Sequence, residues 1–251
     1  MELPPSDRAR WARQCALVVP CCNEGASIGG LVSQLKNVLS SIIVVDDGST
    51  DETGCAAARA GACVVRHSEN RGKGAALRTG LQKALELGHA WALCLDGDGQ
   101  HAPADIPAFL ACADHDGAAL IVGNRFHAPD RIPPLRRWVN RWLTRRLSRL
   151  TGETLLDSQC GFRLVRLDAW AKLPLRAERF EVESEFLVQF LRAGERVCFV
   201  PVQVIYGGTG SKIRPLRDTW RWLRWWWNQP RLTSPASPAL PAPLLTSAPA
   251  E

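Results

Sequence analysis

Two aspartates, Asp96 and Asp98, are the residues whose type and spacing point most directly to chemistry. They follow the apolar run 91–95 in the order Asp-Gly-Asp-Gly-Gln-His. Carboxylate oxygens at the end of a buried strand are hard ligands for Mg²⁺ or Mn²⁺, and glycines let the backbone turn sharply around an ion. An EF-hand calcium loop is excluded, because His101 stands where that loop requires glycine and Pro107 where it requires glutamate. The pattern predicts a divalent-cation site that can hold a diphosphate.

The strand that carries this motif belongs to an alternation of apolar runs and helical segments in the first half of the chain. Such alternation is typical of an α/β fold with a mostly parallel central sheet and helices on both faces. Strands are predicted at 16–20, 41–46, 63–66, 91–95 and 120–122, and helices at 27–39, 49–60, 72–87 and 103–112. Ser49 and Glu52 have the spacing of a capping box at the start of the second helix.

Polar clusters fall where three of these strands end. The clusters are Asn23-Glu24, Asp46-Asp47 and the pair Asp96 and Asp98. Ligands of open α/β sheets bind beyond the carboxyl ends of the strands. We therefore expect the three clusters to line one site.

The second half of the chain has a different pattern. A basic segment at 131–150 precedes a predicted strand at 161–164, a helix at 180–193, a strand at 197–202 and a tryptophan-rich helix at 214–228. Five prolines between 231 and 251 predict a disordered tail. We expect residues 1–230 to form one catalytic domain, because 251 residues with 46% hydrophobic content suffice for one large core.

Composition narrows the function classes. The nine cysteines include no Cys-x-x-Cys pair, so the sequence predicts reduced thiols rather than a zinc knuckle or a disulfide framework. Residues 1–14 lack the apolar core of a secretory signal, and no run approaches the about 18 apolar residues of a spanning helix. The net charge is +6, and 131–149 holds seven arginines without an acidic residue, which indicates a polyanionic partner. We expect a cytoplasmic protein, soluble or peripheral to a membrane.

The chain resembles the family 2 inverting glycosyltransferases, and within them the dolichol- or polyprenyl-phosphate mannosyl and glucosyl transferases, over residues 15–228. Six motifs in order carry the resemblance: Val19-Pro20-x-x-Asn23-Glu24, Val44-Val45-Asp46-Asp47-Gly48-Ser49-x-Asp51, Asn70-x-Gly72-Lys73-Gly74, Asp96-x-Asp98-x-Gln100-His101, Gly123-Asn124-Arg125 and Asp157-x-x-x-Gly161-Phe162-Arg163. The resemblance implies the GT-A nucleotide-diphospho-sugar transferase fold and Mg²⁺ or Mn²⁺ as cofactor. It also implies a donor of the GDP-mannose or UDP-glucose type and a lipid phosphate acceptor.

By this resemblance the matching positions take family roles on the donor side. Pro20, Glu24 and Asp46 or Asp47 would line the base and ribose, and Asn23 would also bind the donor. Asp96, Asp98 and Gln100 would hold the cation against the diphosphate. Lys73 and the backbone amides at the start of its helix would steady negative charge on the donor. A Walker A loop is excluded, because His67 stands where it requires glycine and Gly74 where it requires serine or threonine.

Arginine guanidinium groups are good ligands for the acceptor phosphate, because each can bond to two phosphate oxygens at once. The candidates that the resemblance implies are Arg125, Arg136, Arg137, Ser211 and Lys212. Asp98 and Asp157 are the catalytic candidates; Asp157 is either the base or the partner of Arg163 in a structural ion pair. A phosphate acceptor reduces the need for a base, since its second pKa of about 6 leaves the attacking oxygen anionic at neutral pH.

Two stripes of apolar side chains among arginines predict contact with an anionic membrane surface. The first is Leu135, Val139, Trp142, Leu143, Leu147 and Leu150; the second is Leu216, Trp220, Leu223 and Trp227, beside Arg214, Arg217, Arg221 and Arg224. We expect peripheral attachment at the inner face of the cytoplasmic membrane; the alternative is that the stripes pack on the sheet and the arginines are solvated. No nucleic acid partner is expected, because no recognition fold is apparent and the acidic clusters would repel phosphates. The alternative functions are transfer to a soluble or glycolipid hydroxyl, and nucleotide-sugar binding at a membrane without turnover.

Overall fold

The computed structural model describes residues 4–127, 132–203, 205 and 215–229, without the side chains of 5 and 215–219. The strands are β1 (Cys15–Cys21), β2 (Ile42–Asp47), β3 (Cys63–His67), β4 (Trp91–Cys94), β5 (Leu120–Asn124), β6 (Arg163–Arg166) and β7 (Val197–Pro201). The helices are α1 (Pro5–Gln14), α2 (Ile28–Lys36), α3 (Thr53–Arg59), α4 (Lys73–Glu86), α5 (Ile106–Asp116), α6 (Pro134–Thr151), α7 (Leu167–Trp170), α8 (Val182–Arg192) and α9 (Pro215–Trp227). Single helical turns at Pro103–Asp105 and Arg125–His127 follow the ends of β4 and β5.

The seven strands form one sheet in the order β3-β2-β1-β4-β6-β5-β7. The first four are parallel neighbours, and β5 is parallel to β7. β6 runs antiparallel to both β4 and β5. The prediction of a mostly parallel α/β sheet is confirmed.

β1 and β2 lie at the centre of the core, and every residue of both strands is buried. Continuous apolar runs of this kind belong to strands that are covered on both faces. α4 packs directly on them: a Cβ on Gly80 would lie 2.4 Å from Val18 and 3.1 Å from Val45. Glycine at this position allows the close approach, which sets α4 against the two strands that carry polar clusters.

The capping box predicted at Ser49 and Glu52 is wrong. α3 begins at Thr53, whose backbone amide donates to Asp51 Oδ1 at 3.0 Å. Ser49 Oγ instead accepts a hydrogen bond from the amide of Asn23 at 2.9 Å. Serine and aspartate side chains bond equally well to nearby loop amides, so the local pattern alone does not decide which residue caps the helix.

α1 has no counterpart among the predicted elements, because long-range contacts hold it. Trp11 is 1% exposed, and its ring centroid lies 5.8 Å from that of Trp91. Its Nε1 donates to Asp114 Oδ2 at 3.2 Å, and Arg10 pairs with the same oxygen at 2.5 Å. These contacts fasten α1 to α5 and to the start of β4.

The prediction that one stripe of α6 faces a membrane is wrong for the second half of the helix. Leu143, Leu147 and Leu150 are buried in the core, and α6 packs against α8. Leu135 and Trp138, in the first turns, are 74% and 65% exposed. The alternative of packing therefore holds for the apolar side chains in the later turns of α6, and the large exposed apolar side chains are confined to its beginning.

α9 lies beside α6. The ring centroid of Trp222 is 6.0 Å from that of Trp142, and four residues further along both helices Arg146 lies 5.5 Å from the ring of Trp226. Trp222 is 4% exposed and donates from Nε1 to Ser184 Oγ of α8 at 2.7 Å. One buried tryptophan thus anchors α9.

Some predictions fall outside the described residues. They concern Arg131, Arg214, the acceptor candidates Ser211 and Lys212, the side chains of Leu216 and Arg217, and the tail 231–251. Among the described residues, no helix is both long enough and apolar enough to cross a membrane.

Candidate active site

Hydrogen bonds join the loops that follow β1 and β2. Asn23 has φ = +54°, a left-handed conformation that asparagine tolerates better than most residues. Its Oδ1 accepts from the amide of Thr50 at 2.9 Å, and the amide of Glu24 donates to Thr53 Oγ1 at 2.8 Å. Pro20 is buried at the end of β1. The structure therefore places Pro20, Asn23 and Glu24 together at the carboxyl end of β1, as predicted.

Asp47, at the end of β2, has both carboxylate oxygens engaged by the protein. Oδ1 accepts from the amide of Arg71 at 2.9 Å and lies 2.7 Å from His67 Nδ1. Oδ2 accepts from the amide of Gly72 at 2.8 Å. Asp47 thus fixes the loop that leads into α4.

Asp46 is fully buried and keeps one oxygen without a hydrogen-bond partner. Oδ1 accepts from the amide of Ser49 at 2.9 Å. Oδ2 has no such partner in the described part of the chain, although Arg66 Nε lies 3.5 Å away. Of the two aspartates predicted to bind the base and ribose, Asp46 is the one with a carboxylate oxygen that makes no hydrogen bond, whereas both oxygens of Asp47 accept one.

The first amides of α4 do not form an open anion site. The amides of Gly74 and Ala75 donate to the carbonyl of Glu178 at 2.7 and 3.3 Å. A Cβ on Gly74 would lie 2.2 Å from the carbonyl oxygen of Ala177, so the helix start is closely covered. The expectation that these amides steady the donor is therefore wrong, because a backbone carbonyl already occupies them.

Lys73 joins two carboxylates at the centre of the site. Its Nζ lies 2.6 Å from Asp96 Oδ1 and 2.6 Å from Glu183 Oε1. Burial alone would raise the pKa of Asp96, but the charges and hydrogen bonds of Lys73 and His101 together outweigh burial, and the pKa is lowered. Burial likewise opposes the charge on Lys73, and the two carboxylates reverse that effect and raise its pKa. Asp96 and Lys73 are therefore both ionised at neutral pH.

Asp98 and Gln100 complete the turn after β4. Both are half-buried, and Asp98 Oδ1 accepts from the amide of Gln100 at 3.1 Å. The pKa of Asp98 is raised, first by burial and then by the negative charge of Asp96. Two mutually repelling carboxylates and an amide side chain are oxygen donors of the kind that Mg²⁺ and Mn²⁺ take, and a cation would remove the repulsion. The residues Asp96, Asp98 and Gln100 therefore fit a divalent cation.

Gly161 covers the ion pair between Lys73 and Asp96. A Cβ at this position would lie 2.8 Å from Lys73 Nζ and 2.9 Å from Asp96 Oδ2. Because β6 is antiparallel to β4, the residues that precede β6 return to the carboxyl end of β4. Glycine is thus required here for close approach to the charged groups.

Asp157 and Arg125 form a buried ion pair. Arg125 Nε and Nη2 donate to the two carboxylate oxygens at 2.7 and 2.9 Å, and the Arg125 amide adds a third bond at 3.2 Å. The amide of Gln159 donates to Asp157 Oδ1 at 3.1 Å. Asp157 has a fully buried side chain and Arg125 an 11% exposed one. The expected base and one expected phosphate ligand therefore bind each other.

Arg163 does not form an ion pair with Asp157, so the prediction that Asp157 is the structural partner of Arg163 is wrong. Its guanidinium donates to the carbonyls of Cys160, Ser158 and Glu183 at 2.7, 3.0 and 2.6 Å. Burial lowers its pKa. Arg163 thus ties the start of α8, and with it Glu183, to the segment before β6.

The remaining acceptor candidates lie on a different element. Arg136 and Arg137 are half-buried in the first turn of α6. That turn follows the end of β5 by ten residues, four of which lie outside the described ranges. Binding of the acceptor phosphate by Arg136 and Arg137 therefore stays a prediction.

Two residues near the cation ligands had no assigned role. Glu183 pairs with Lys73, and its Oε2 is buried without a hydrogen-bond partner among the described residues. His101 is 6% exposed, and its Nε2 lies 3.5 Å from Asp96 Oδ2. His101 ends the Asp-x-Asp-x-Gln-His motif, a local signal that could have found it; Glu183 reaches the site only through the docking of α8.

This fold, with an Asp-x-Asp pair at the end of β4 and polar loops after β1 and β2, is that of the GT-A glycosyltransferases. The family model described as glycosyl transferase family 2 matches residues 16–173. The chain belongs to that family and is a glycosyltransferase.

Named relatives are similar to the chain in sequence, and a solved structure is similar to it in fold. The chain is 32% identical over 213 residues to UDP-N-acetylglucosamine–dolichyl-phosphate N-acetylglucosaminyltransferase of Methanococcus voltae, covering 76% of this chain and 85% of the relative. It is 29% identical over 179 residues to polyprenol monophosphomannose synthase of Mycolicibacterium smegmatis, covering 67% of each chain. Glucosyl-3-phosphoglycerate synthase of Mycobacterium tuberculosis, in complex with Mn²⁺, UDP and glucosyl-3-phosphoglycerate, has the same fold: the TM-score is 0.65 at 20% identity, covering 89% of this chain and 82% of that one.

Proposed function

We propose that the protein transfers a hexose from a nucleotide-diphosphate sugar to a polyprenyl-type lipid phosphate. We further propose that it works as a peripheral protein at the inner face of the cytoplasmic membrane. The two relatives named above carry dolichyl phosphate and polyprenol monophosphomannose in their names. The exposed parts of α6 and α9 support the same acceptor class.

The observation that carries the proposal is a set of four exposed apolar side chains on these two helices, here together called the tryptophan surface. It consists of Leu135, Trp138, Trp220 and Trp227, which are 74%, 65%, 62% and 80% exposed. α6 also holds six arginines and no acidic residue. Tryptophan rings favour the membrane–water boundary, and each basic side chain near an anionic surface contributes about 1 kcal/mol to binding. Two adjacent helices of this composition suit the surface from which a lipid phosphate must be taken.

On the donor side, the chain supplies fixed charges around the diphosphate. Asp96, Asp98 and Gln100 would hold Mg²⁺ or Mn²⁺, which neutralises the charge that develops on the leaving nucleoside diphosphate. Lys73 holds Asp96 in place through its second contact with Glu183. We assign Asp46 to the nucleoside side of the donor site; its Oδ2 is buried and pairs with Arg66 Nε at 3.5 Å.

On the acceptor side, the hydrogen bonds that occupy Asp157 favour a phosphate acceptor, because a phosphate needs no base. A hydroxyl nucleophile normally gives its proton to a base, whereas a phosphate monoester is already anionic at neutral pH. Asp157 is buried, and four hydrogen bonds occupy its oxygens. In the proposed reaction a phosphate oxygen bonds to the anomeric carbon in line with the breaking bond, and the nucleoside diphosphate departs.

The acceptor is tested with purified protein, a panel of nucleotide sugars and vesicles that contain polyprenyl phosphate. Release of free nucleoside diphosphate should require the lipid phosphate and yield a glycosyl lipid phosphate. Vesicles with the unphosphorylated polyprenol are the matched control. Equal turnover with polyprenol, or with a soluble hydroxyl compound alone, would reject the lipid phosphate.

The membrane surface is tested by flotation with anionic and neutral vesicles. We expect binding to anionic vesicles, with partial release by high salt. Replacing Trp220 and Trp227 by alanine should lower the salt-resistant fraction, because burial of the rings is not screened. Leu87→Ala, at an exposed apolar residue just beyond α4, is the control. Absence of binding at low salt would contradict the proposed location and favour a soluble acceptor.

A further inference from the structure

A cluster of two thiols and a carboxylate lies between α5 and β7. The ligand atoms of Cys112, Asp116 and Cys198 all lie within 4.8 Å of one another. The Cys112 thiol donates to Asp116 Oδ2 at 3.3 Å. Cys198 is buried, and the other two residues are half-buried. None of them has a part in the glycosyltransferase site.

The cluster lies toward the opposite end of the sheet from that site. In the parallel register of β5 and β7, Cys198 is opposite Ile121 and Pro201 is opposite Asn124. Arg125, which follows Asn124, begins the segment bound to Asp157. Pro201 lies three residues beyond Cys198 along the strand, a distance of about 10 Å. An ion in the cluster would therefore not compete for the donor ligands.

We propose that Cys112, Asp116 and Cys198 bind a thiophilic divalent cation of the Zn²⁺ class. Thiolate ligands select such ions over Mg²⁺ and Mn²⁺. Ligand atoms about 2.0 to 2.3 Å from a tetrahedral Zn²⁺ lie about 3.3 to 3.8 Å from each other. The distance of 3.3 Å between Cys112 Sγ and Asp116 Oδ2 lies in that range. Cys112 and Asp116 stand four residues apart, on one face of α5. Water would supply the fourth ligand, and the ion would link α5 to the edge strand β7.

The surroundings of Cys198 favour its thiolate, which is the form that binds a metal ion. The contact with Cys112 and the charge of Arg196 lower the pKa of Cys198, whereas the same contact, burial and Asp116 raise the pKa of Cys112, so the ion must displace the Cys112 proton. On binding, each thiol loses one proton to solvent, and the two thiolates with the carboxylate form three bonds to the ion. No electron is transferred, so no oxidant takes part.

The test uses the reduced full-length protein with excess Mg²⁺, so that the carboxylates of the donor site are occupied. Co²⁺ is the probe, because its thiolate complexes have a charge-transfer absorption band, and Zn²⁺ should then displace it. We expect one Co²⁺ per chain, with release of up to two protons. Replacing Cys112 and Cys198 by serine should weaken binding by more than the about 10- to 100-fold that loss of a second-shell partner costs.

The matched control replaces Cys55 and Cys63, two exposed cysteines outside the cluster, by serine. This variant should bind Co²⁺ as the natural chain does. Equal binding by the Cys112/Cys198 variant would overturn the proposal. So would a reduced chain that binds no Co²⁺ but forms a Cys112–Cys198 disulfide with peroxide, which would make the pair a redox site instead. Circular dichroism of the variant confirms that it folds.

Discussion

Replacing Asp157 by asparagine distinguishes a structural role from a catalytic one. Asparagine keeps the shape of the side chain but removes the charge and turns one oxygen into an NH₂ group. That group would face the N–H donors of Arg125 or Gln159. The Arg125 charge, with its side chain only 11% exposed, would lose its counter-ion.

The expected loss of stability is large. Removing one partner of a buried ion pair costs about 3 to 5 kcal/mol, because the other charge stays buried without compensation. A domain of this size has a free energy of unfolding of about 5 to 15 kcal/mol. With a urea m-value of about 3 kcal/mol/M, the midpoint of denaturation should fall by about 1 to 1.7 M. The variant should therefore be folded but much less stable.

Urea denaturation followed by circular dichroism measures this change. Asp168→Asn is the control, because Asp168 pairs with Arg166 at 2.8 Å but its side chain is 66% exposed. Exposed pairs contribute about 0 to 1 kcal/mol, so the control midpoint should hardly move. An Asp157→Asn variant with an unchanged midpoint and a collapsed kcat would refute the structural role and restore Asp157 as the base.

Three further outcomes follow from other contacts. Asp98→Asn should leave the thermal midpoint nearly unchanged and abolish transfer, as EDTA should in the natural chain; turnover that survives both treatments would contradict the cation ligands. Gly161→Ala should lower stability by about 1 to 3 kcal/mol through overpacking and reduce kcat/KM. Gly30→Ala is its control: its Cβ would meet nothing within 4 Å in α2, and it should stabilise by about 0.5 to 1 kcal/mol. Trp222→Ala should cost about 3 to 5 kcal/mol by chemical denaturation, and the 80% exposed Trp227 much less when so replaced; equal losses would contradict the anchoring of α9.

The donor half could be predicted because its signals are local. Each apolar run ends in a polar cluster, and parallel strands bring such ends to one edge whatever the details of packing. Asn23, Asp46 and Asp96 accordingly lie at the carboxyl ends of β1, β2 and β4. The start of α3 differs from the prediction because Asp51 accepts from the first amide of the helix while Ser49 accepts from the loop amide of Asn23, a choice that the local sequence does not decide.

The acceptor half could not be predicted to the same depth, because its contacts join distant segments. Gly161 covers Asp96 only because β6 enters the sheet antiparallel, and Glu183 meets Lys73 only because α8 docks there. The stripe on α6 was misread for a different reason. A repeat of 3.6 residues marks an apolar helix face but not what covers it, and Leu147 faces the core.

The place of β6 in the sheet also affects how the chain is made. β4 ends at Cys94, and its sheet neighbour β6 begins at Arg163, 69 residues later. At a synthesis rate of about 5 to 20 residues per second, the edge of β4 stays unpaired for about 3 to 14 seconds until β6 has been synthesised. An unpaired strand edge is a template for association with other chains. The nascent protein is therefore most exposed to aggregation before residue 166 leaves the ribosome, and a chaperone that shields β4 during that interval should raise the yield of folded enzyme.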